Sequence, residues 1–380
     1  MIPACYPFAS MYEPGYVRLL ASGELEERVD KLYGLLRACT VCPRDCGNDR
    51  LAGVLASCAS GADPVVSAHT PHFGEEPFLS GTRGAGNVFF GNCNLRCVYC
   101  QNWQISQSYA AQLPNTVAVE RLAGMLLSLQ ERGCHNIGFV SPTHYAPQMA
   151  KAVLLAAREG LTLPIIYNTN CYDSVEVLRL LEGIVDVYLP DLKYADDAAG
   201  SLFSKVPDYP AHARAALVEM YRQRGARLEL DEKNNLLKSG LLVRLLVLPN
   251  GQAGIRDTLT WIAETLSPRV AISLMAQYYP IHRAAGDGRY AALDRSITPA
   301  EWDEARAALE ELGFANGFEQ ELETSNKYYR PDFNDRERPF RDIRHFTDRD
   351  AAAGPAALEA ADSAAGPARP LDTEPAAVRH

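Results

Sequence analysis

Three closely spaced cysteines are the residues of this sequence whose chemistry is easiest to interpret. Cys93, Cys97 and Cys100 form a C-x3-C-x2-C pattern within GNCNLRCVYCQNW, directly after a short apolar run. Three thiolates on so short a loop can bind one inorganic centre. On a 4Fe–4S cluster they leave one iron without a protein ligand, which is an open site for a substrate or cofactor, and we favour this interpretation. A zinc ion completed by a distant histidine, or buried thiols without metal, are the alternatives.

A second group of cysteines lies upstream in a C-x2-C-x3-C-x11-C pattern, made by Cys39, Cys42, Cys46 and Cys58. Four thiolates can complete either a structural zinc site or a second iron–sulfur cluster. Such a site would hold together a stretch that is rich in Gly and Pro and has few core-forming residues. Zinc, a second cluster and no metal all stay open, and His69 and His72 keep a mixed Cys/His site open too.

Composition restricts the class of protein. The chain has 380 residues, of which 47% are hydrophobic and 22% charged, as in soluble globular proteins with a sizeable core. Its formal charge of −10 argues against a dedicated nucleic-acid-binding protein. The sequence contains no apolar run of about 18 residues, so no transmembrane helix is expected. The first residues lack the pattern of a signal peptide. Clustered cysteines in such a chain predict a cytoplasmic protein with reduced thiols.

Short apolar runs that alternate with helical patterns position these cysteines. The predicted strands are 87–91, 136–140, 164–168, 185–189, 242–248 and 270–275. The predicted helices are 23–37, 117–132, 145–159, 174–182, 210–224, 254–266 and 299–312. This alternation implies right-handed βαβ units and a parallel sheet. Six strands fit either an incomplete (β/α)6 barrel, which we favour, or an open doubly wound sheet.

Local signals refine these elements. Asp173 with Glu176, and Thr298 with Glu301, have the spacing of a capping box at a helix start. Residues 225–240 are predicted to contain a hairpin.

Four segments are expected along the chain. Residues 1–83 contain the N-terminal helix and the Cys-rich extension, and residues 84–320 form the barrel. Residues 321–350 are a C-terminal extension. Residues 351–380 contain 12 Ala and few large apolar side chains, so we predict a disordered tail.

Polar residues follow the ends of the predicted strands, where reactive groups gather in parallel α/β barrels. They include Ser141, Thr143, His144, Asn168, Asp191, Lys193 and Gln277, with Arg244 inside the fifth strand. For any one of them, a capping or turn role is an equally good explanation. For His144 we favour a hydrogen-bonded loop histidine over a proton or electron relay. Glu75 and Glu76 are adjacent, so we expect them to point to opposite faces and favour a loop ion pair.

The cysteine loop and several other stretches resemble a known family. The pattern C-x3-C-x-aromatic-C is similar to the signature of the radical S-adenosylmethionine (radical SAM) enzymes. Other stretches resemble the stand-alone iron–sulfur homologues of pyruvate formate-lyase activating enzyme: CPRDCG, HFGEEPFLSG, FFGNCNLRCVYCQNWQIS, FVSPTHY, LPDLKY, LLVRLLVLP and ISLMAQYYP. The likeness covers about residues 35–320.

The resemblance implies a specific chemistry. The cluster would bind S-adenosylmethionine through its amino and carboxylate groups, and one electron would cleave it to methionine and a 5′-deoxyadenosyl radical. That radical would take a hydrogen atom from a substrate. By the same resemblance Tyr99 lies against the adenine, while Asp191, Lys193 and Arg244 help to hold S-adenosylmethionine. Asn168 is added as a cofactor-binding candidate because it ends a predicted strand.

The resemblance also suggests partners and shows one departure. Many members carry a Gly-Gly-Glu-like stretch after the second strand, where this chain has VSPTHY, so Ser141 or Thr143 would replace it. A low-potential donor such as flavodoxin or ferredoxin is expected, and a glycyl-radical protein is one implied partner. The alternatives are radical modification of another protein, peptide or small molecule, a non-catalytic iron–sulfur electron carrier or sensor, and a zinc-stabilised scaffold. No pattern in the sequence identifies the substrate.

Overall fold

The computed structural model describes residues 12–231, 233–322, 331–333 and 340. The chain divides into two units, residues 1–343 and 344–380. The Cys-rich extension and the predicted barrel therefore fall within one unit. Most of the predicted C-terminal extension and all of the predicted tail lie outside the described residues.

One mixed sheet forms the frame of the first unit. Its strands within the described residues are β1 (Val66–His72), β2 (Ala85–Phe90), β3 (Ile137–Val140), β4 (Ile165–Thr169), β5 (Val187–Pro190), β6 (Glu229–Leu230), β7 (Leu237–Leu246), β8 (Ala271–Met275) and β9 (Gly317–Glu319). The order is β1-β2-β3-β4-β5-β7-β8-β9, and β6 pairs with β7. β1 is antiparallel to β2 and β6 to β7, whereas all the other pairings are parallel. The parallel sheet and the hairpin predicted at 225–240 are confirmed.

Helices connect the parallel strands. They are α1 (Gly15–Ser22), α2 (Glu24–Gly34), α3 (Pro77–Ser80), α4 (Trp103–Ser106), α5 (Tyr109–Gln112), α6 (Val119–Glu131), α7 (Ala146–Arg158), α8 (Val175–Leu180), α9 (Asp197–Ala199), α10 (Tyr209–Arg224), α11 (Ile255–Thr265) and α12 (Pro299–Glu311). The predicted helices correspond to α2, α6, α7, α8, α10, α11 and α12, with shifted ends. In α6, for example, Leu122, Leu126 and Leu129 are buried on one face, as the 3.6-residue period requires.

The two predicted capping boxes have different outcomes. At α12 the Thr298 side chain accepts from Glu301 N, and the Glu301 side chain accepts from Thr298 N, so this prediction is confirmed. At α8 the N-cap is Ser174 and no side chain caps the helix. The Asp173 carboxylate instead accepts from the hydroxyls of Tyr167 and Thr169 at 2.9 and 2.5 Å. The prediction at Asp173 is wrong because these buried hydroxyls satisfy its carboxylate.

The two faces of the sheet are covered differently. Side chains such as Phe139 and Leu245 belong to one large core together with residues of α6, α7, α10 and α11. On the opposite face, which we call the inner face, Ile166, Val187 and Leu242 form a separate small cluster with Leu79 of α3. A doubly wound sheet would carry long helices on both faces. The described residues are instead compatible with a partial barrel. Their sheet has seven mutually parallel strands, whereas the sequence predicts six.

None of the helices in the described part of the chain combines the length and the apolar composition needed to cross a membrane.

Candidate functional site

The loop that carries Cys93, Cys97 and Cys100 leaves the carboxyl end of β2 and is held by main-chain hydrogen bonds. Asn92 N donates to Ile105 O at 2.8 Å, and Asn92 adopts a left-handed conformation with φ 64° where the chain turns away from the strand. Farther along, Arg96 N donates to Ser204 O at 3.1 Å and Val98 N to Phe203 O at 2.8 Å. The loop is therefore tied both to its own end and to a distant part of the chain.

The three thiols lie close together, and none forms a disulfide. Cys93 is buried, while Cys97 and Cys100 are partly exposed. Burial raises the pKa of each thiol, and the neighbouring Cys97 thiol raises those of Cys93 and Cys100 further, to about 12 for Cys100. As thiolates they would need a positive centre to compensate their charge, which bound iron supplies. Three thiolates leave one iron of a 4Fe–4S cluster without a protein ligand, whereas a structural zinc ion takes four ligands. This donor set therefore suits a cluster.

Each thiol contacts a polar side chain that our sequence predictions did not assign to the site. Asn170 Nδ2 lies 3.5 Å from Cys93 Sγ, Ser204 Oγ 2.9 Å from Cys97 Sγ, and Ser106 Oγ 3.3 Å from Cys100 Sγ. Asn170 follows β4, and its place directly after a predicted strand marks it from the sequence as one of the polar residues at the strand ends. Ser204 lies in a stretch without any recognisable motif, because only tertiary folding brings it to the cysteine loop.

Asp191 and Lys193 follow β5 and lie beside the cysteine loop. Lys193 Nζ is 3.0 Å from Asp191 Oδ2, and both side chains are partly buried. Burial alone would lower the pKa of Lys193, but Asp191 and Cys97 outweigh it and hold that pKa above its ordinary value. The ammonium group therefore stays charged among the thiols, where it can bind an anionic group. Its role, and that of Asp191, in holding S-adenosylmethionine stays a prediction.

Tyr99 is connected to a cysteine thiol by a chain of hydroxyl groups. Ser204 Oγ lies 2.9 Å from Cys97 Sγ and 2.7 Å from Tyr194 Oη, and Tyr194 Oη donates to Tyr99 Oη at 2.8 Å. The Tyr99 ring is buried and packs edge-on against Tyr278, with ring centroids 5.8 Å apart. It is thus part of the core beside the cluster loop, and its contact with an adenine stays a prediction.

Arg244 projects from β7 and binds both glutamates of HFGEEP. Arg244 Nε donates to Glu76 Oε1 at 2.9 Å, and Nη2 donates to Glu76 Oε2 at 2.5 Å and also to Glu75 Oε2. Asn87 Nδ2 donates to Glu75 at 2.6 Å, and Ser273 Oγ to Glu76 at 2.7 Å. We call these five residues the inner-face ion cluster. The expectation that Glu75 and Glu76 face opposite ways is wrong, because the segment before α3 turns and directs both carboxylates to one guanidinium.

The charges of the inner-face ion cluster stabilise one another. Burial alone would raise the pKa of Glu75, but Arg244 and His72 outweigh it and lower this pKa to about 2. Glu75 and Glu76 likewise hold the pKa of Arg244 above its ordinary value, against the effect of burial. Because its guanidinium already has two carboxylate partners, binding of S-adenosylmethionine by Arg244 stays a prediction that the geometry does not favour.

Three other predicted residues lie near the carboxyl ends of β3 and β4. Asn168 is half-buried in β4, opposite Val140 and Leu189 in the sheet register. Thr143 Oγ1 lies 3.0 Å from Thr169 Oγ1 and is buried. His144 Nε2 lies 3.0 Å from the carbonyl oxygen of Gly91, so this nitrogen carries the proton of the neutral ring. Burial lowers the pKa of His144 to about 3. A neutral, buried His144 agrees with a structural histidine rather than a relay.

The four upstream cysteines also lie near one another. Cys39, Cys42 and Cys58 are buried and Cys46 is partly exposed. Burial raises the pKa of Cys42 to about 12, and the thiols of Cys58, Cys39 and Cys46 each add to the rise. The structure therefore brings these four thiols together as the spacing predicts, but it does not by itself identify a metal.

Comparison with known proteins supports a radical SAM domain. Residues 87–228 match the family described as the Radical SAM superfamily. An uncharacterised protein of Methanocaldococcus jannaschii is 29% identical over 247 residues, which are 63% of this chain and 64% of that protein. A second uncharacterised protein of the same organism is 27% identical over 173 residues, 41% of this chain and 49% of that protein. The chain thus spans between about half and just under two thirds of the length of these relatives.

Proposed function

We propose that this chain cleaves S-adenosylmethionine reductively at a 4Fe–4S cluster bound by Cys93, Cys97 and Cys100, and that it abstracts hydrogen from a substrate. The radical SAM domain supports cleavage of S-adenosylmethionine and radical chemistry in general. One observation supports the assignment to these residues: the three thiols lie together just beyond the carboxyl end of β2, with Cys93 buried and Cys97 and Cys100 partly exposed, next to the Asp191–Lys193 pair. Reactive groups of parallel α/β barrels lie at this end of the strands.

When bound, the cluster and S-adenosylmethionine supply a one-electron cleavage that yields methionine and a 5′-deoxyadenosyl radical. The residues of this chain bind and orient. The Lys193 ammonium can pair with the methionine carboxylate, and Asp191 can accept hydrogen bonds from ribose hydroxyls. Tyr209 fixes both, because its hydroxyl accepts from Lys193 N and donates to Asp191 O, each at 2.9 Å.

Polar contacts with the thiols would adjust the reduction potential of the cluster. Asn170, Ser204 and Ser106 each place a donor near one cysteine sulfur. Hydrogen bonds to ligand sulfurs stabilise the more negative, reduced cluster and so raise its potential. We assign these three residues to the support of the cluster rather than to the reaction of the substrate.

We propose a glycyl-radical protein as the substrate, with a flavodoxin or ferredoxin as the electron donor. The support is the likeness of the quoted stretches to activating enzymes. If a glycyl-radical protein is not the substrate, the same site modifies another protein, peptide or small molecule.

The experiment that tests the activity is anaerobic reconstitution with iron and sulfide, followed by dithionite and S-adenosylmethionine. We expect 5′-deoxyadenosine and methionine in equal amounts, and a loss of both products in the Cys93→Ala, Cys97→Ala and Cys100→Ala variants. Cys134→Ala is the matched control, since this buried thiol lies outside both cysteine groups. A fully assembled cluster that yields no 5′-deoxyadenosine would contradict the proposal and favour a non-catalytic iron–sulfur protein.

The substrate is tested separately by adding candidate glycyl-radical proteins to the reduced enzyme. We expect the electron paramagnetic resonance (EPR) doublet of a glycyl radical on the partner. Production of 5′-deoxyadenosine without that signal would reject this class of partner and leave the cleavage activity intact.

A further inference from the structure

The four upstream cysteines belong to a module that is folded by tight turns. Cys39 N donates to Asn48 O at 2.9 Å, and Gly47 N returns a hydrogen bond to Cys39 O at 3.1 Å. Asp45 and Ala59 adopt left-handed conformations with φ 41° and 52°. The turn at Asp45 lies between Cys42 and Cys46, and the turn at Ala59 directly follows Cys58. These turns help four thiols from a 20-residue stretch to face one region.

A buried arginine indicates that this region carries negative charge. Arg50 is 1% exposed, and its Nη1 lies 4.0 Å from Cys39 Sγ. Its hydrogen bonds in the described part of the chain go to neutral acceptors, namely Gly61 O at 3.1 and 2.9 Å and His144 O at 2.7 Å. A buried cation is costly without a negative partner, and four thiolates on a metal centre would provide one. This argues against four neutral thiols without metal.

Zinc and an iron–sulfur cluster differ in the chemistry that they can supply. Four thiolates can complete either centre. A zinc ion is redox-inactive, whereas an iron–sulfur cluster takes up and releases electrons. The position of the module relative to the loop of Cys93, Cys97 and Cys100 therefore bears on the choice between them.

The module lies directly against the loop that carries Cys93, Cys97 and Cys100. Arg44 Nε donates to Asn94 O, Arg96 Nη2 donates to Ser57 O, and Asn92 Nδ2 donates to Ala59 O at 3.1 Å. Two of these bonds come from residues next to Cys93 or Cys97, and Ser57 is next to Cys58. Two metal centres held by these loops would be neighbours connected through side-chain-to-backbone hydrogen bonds, an arrangement that a redox-active cluster can use for electron transfer and a zinc ion cannot.

We propose that Cys39, Cys42, Cys46 and Cys58 hold a second 4Fe–4S cluster that exchanges electrons with the cluster of the proposed active site. In this step the reduced second cluster loses one electron and the oxidised first cluster gains it, with no bond broken and no proton moved. A one-electron donor of the flavodoxin or ferredoxin class then reduces the second cluster again. The identity of the second site does not depend on the proposed function, whereas its role in electron transfer does.

Metal analysis of the anaerobically reconstituted full chain tests the site. We expect about eight iron atoms and eight sulfides per wild-type chain, and about four of each in a Cys93→Ala/Cys97→Ala/Cys100→Ala variant, since each cluster holds four. Cys134→Ala should keep all eight. About four irons with one zinc in the wild type, or four irons and no other metal, would overturn the proposal. This wild-type count decides the question even if the variant does not fold.

A second variant and a spectroscopic measurement test the exchange of electrons. Cys39→Ser/Cys42→Ser should keep about four irons in the first cluster. In the reduced wild type, we expect EPR signals broadened by coupling between two paramagnetic clusters, and simple uncoupled spectra in each variant. A wild-type spectrum equal to the sum of the two variant spectra would overturn the exchange. A failure to form 5′-deoxyadenosine in a wild type with eight irons would instead count against the proposed function alone.

Discussion

Replacing Arg244 with Met removes the only positive side chain of the inner-face ion cluster. Arg244 makes three charged hydrogen bonds with the two glutamates; the two with Glu76 are buried and the one with Glu75 is partly buried. After the substitution, two adjacent carboxylates would remain in the interior with Asn87 and Ser273 as donors. A buried charge that has lost its partner is among the most destabilising changes known in proteins.

The size of the effect follows from the charges. A pKa of Glu75 lowered from 4.5 to about 2 corresponds to about 3 kcal/mol of stabilisation of its ionised form. Removal of one partner of a buried ion pair typically costs about 3–5 kcal/mol. We therefore expect Arg244→Met to lower the free energy of unfolding by about 3–5 kcal/mol at pH 7. Arg306→Met is the control, since Arg306 makes a 2.7 Å ion pair with Glu319 at the surface, and should change stability far less.

The pH dependence gives a second signature. In the wild type the Glu75 contribution is complete above pH 4.5 and is lost only as the pH falls towards about 2. In the variant, Glu75 keeps His72 but loses the guanidinium, so burial should raise the pKa of the Glu75 carboxyl and the deficit should shrink as the pH falls from 7 to 5. Replacing both carboxylates with amides in Glu75→Gln/Glu76→Gln/Arg244→Met should restore much of the stability.

The assay is urea unfolding of the reconstituted protein under anaerobic conditions at pH 7 and pH 5. A deficit no larger than that of Arg306→Met would refute the argument, as would a deficit that does not change with pH.

Three further predictions concern single side chains near the cysteine loop. Ser204→Ala should lower the reduction potential of the cluster in an EPR-monitored titration, because it removes the 2.9 Å contact with Cys97 Sγ; an unchanged potential would contradict this. Lys193→Met should keep the iron content but weaken S-adenosylmethionine binding about 10- to 100-fold, since a charged hydrogen bond contributes about 1.5–3 kcal/mol. The EPR change on titration with S-adenosylmethionine measures this, and an unchanged Kd would exclude the assigned role. The lowered pKa of His144 means that the unfolded chain takes up a proton below pH 6.5 while the folded chain does not. His144→Gln should therefore reduce the loss of stability between pH 7 and pH 5 by about 2 kcal/mol in urea unfolding, and an identical loss would show that His144 is not buried and neutral.

The sequence alone was enough to identify six of the seven parallel strands among the described residues, most helices and the cysteine loop, because their signals are local. Apolar residues at helical spacing and short apolar runs specify secondary structure over a few turns. The proposed cluster ligands are local as well, since Cys93, Cys97 and Cys100 lie within eight residues. The capping box at Thr298 is equally local and is confirmed. The one predicted at Asp173 does not form, because the Asp173 carboxylate accepts hydrogen bonds from Tyr167 and Thr169, which precede the helix.

Only the tertiary structure decided which polar groups meet. Arg244 and Glu76 are 168 residues apart, and Ser204 and Cys97 are 107 apart, so no periodicity or spacing relates them. The placement of the long helices on one face of the sheet, which distinguishes a partial barrel from a doubly wound sheet, likewise depends on how distant segments pack. The sequence by itself determined which residues are candidate iron ligands, because those cysteines are neighbours along the chain. The fold determined what surrounds them, because burial and charge pairing arise only between segments that folding brings together.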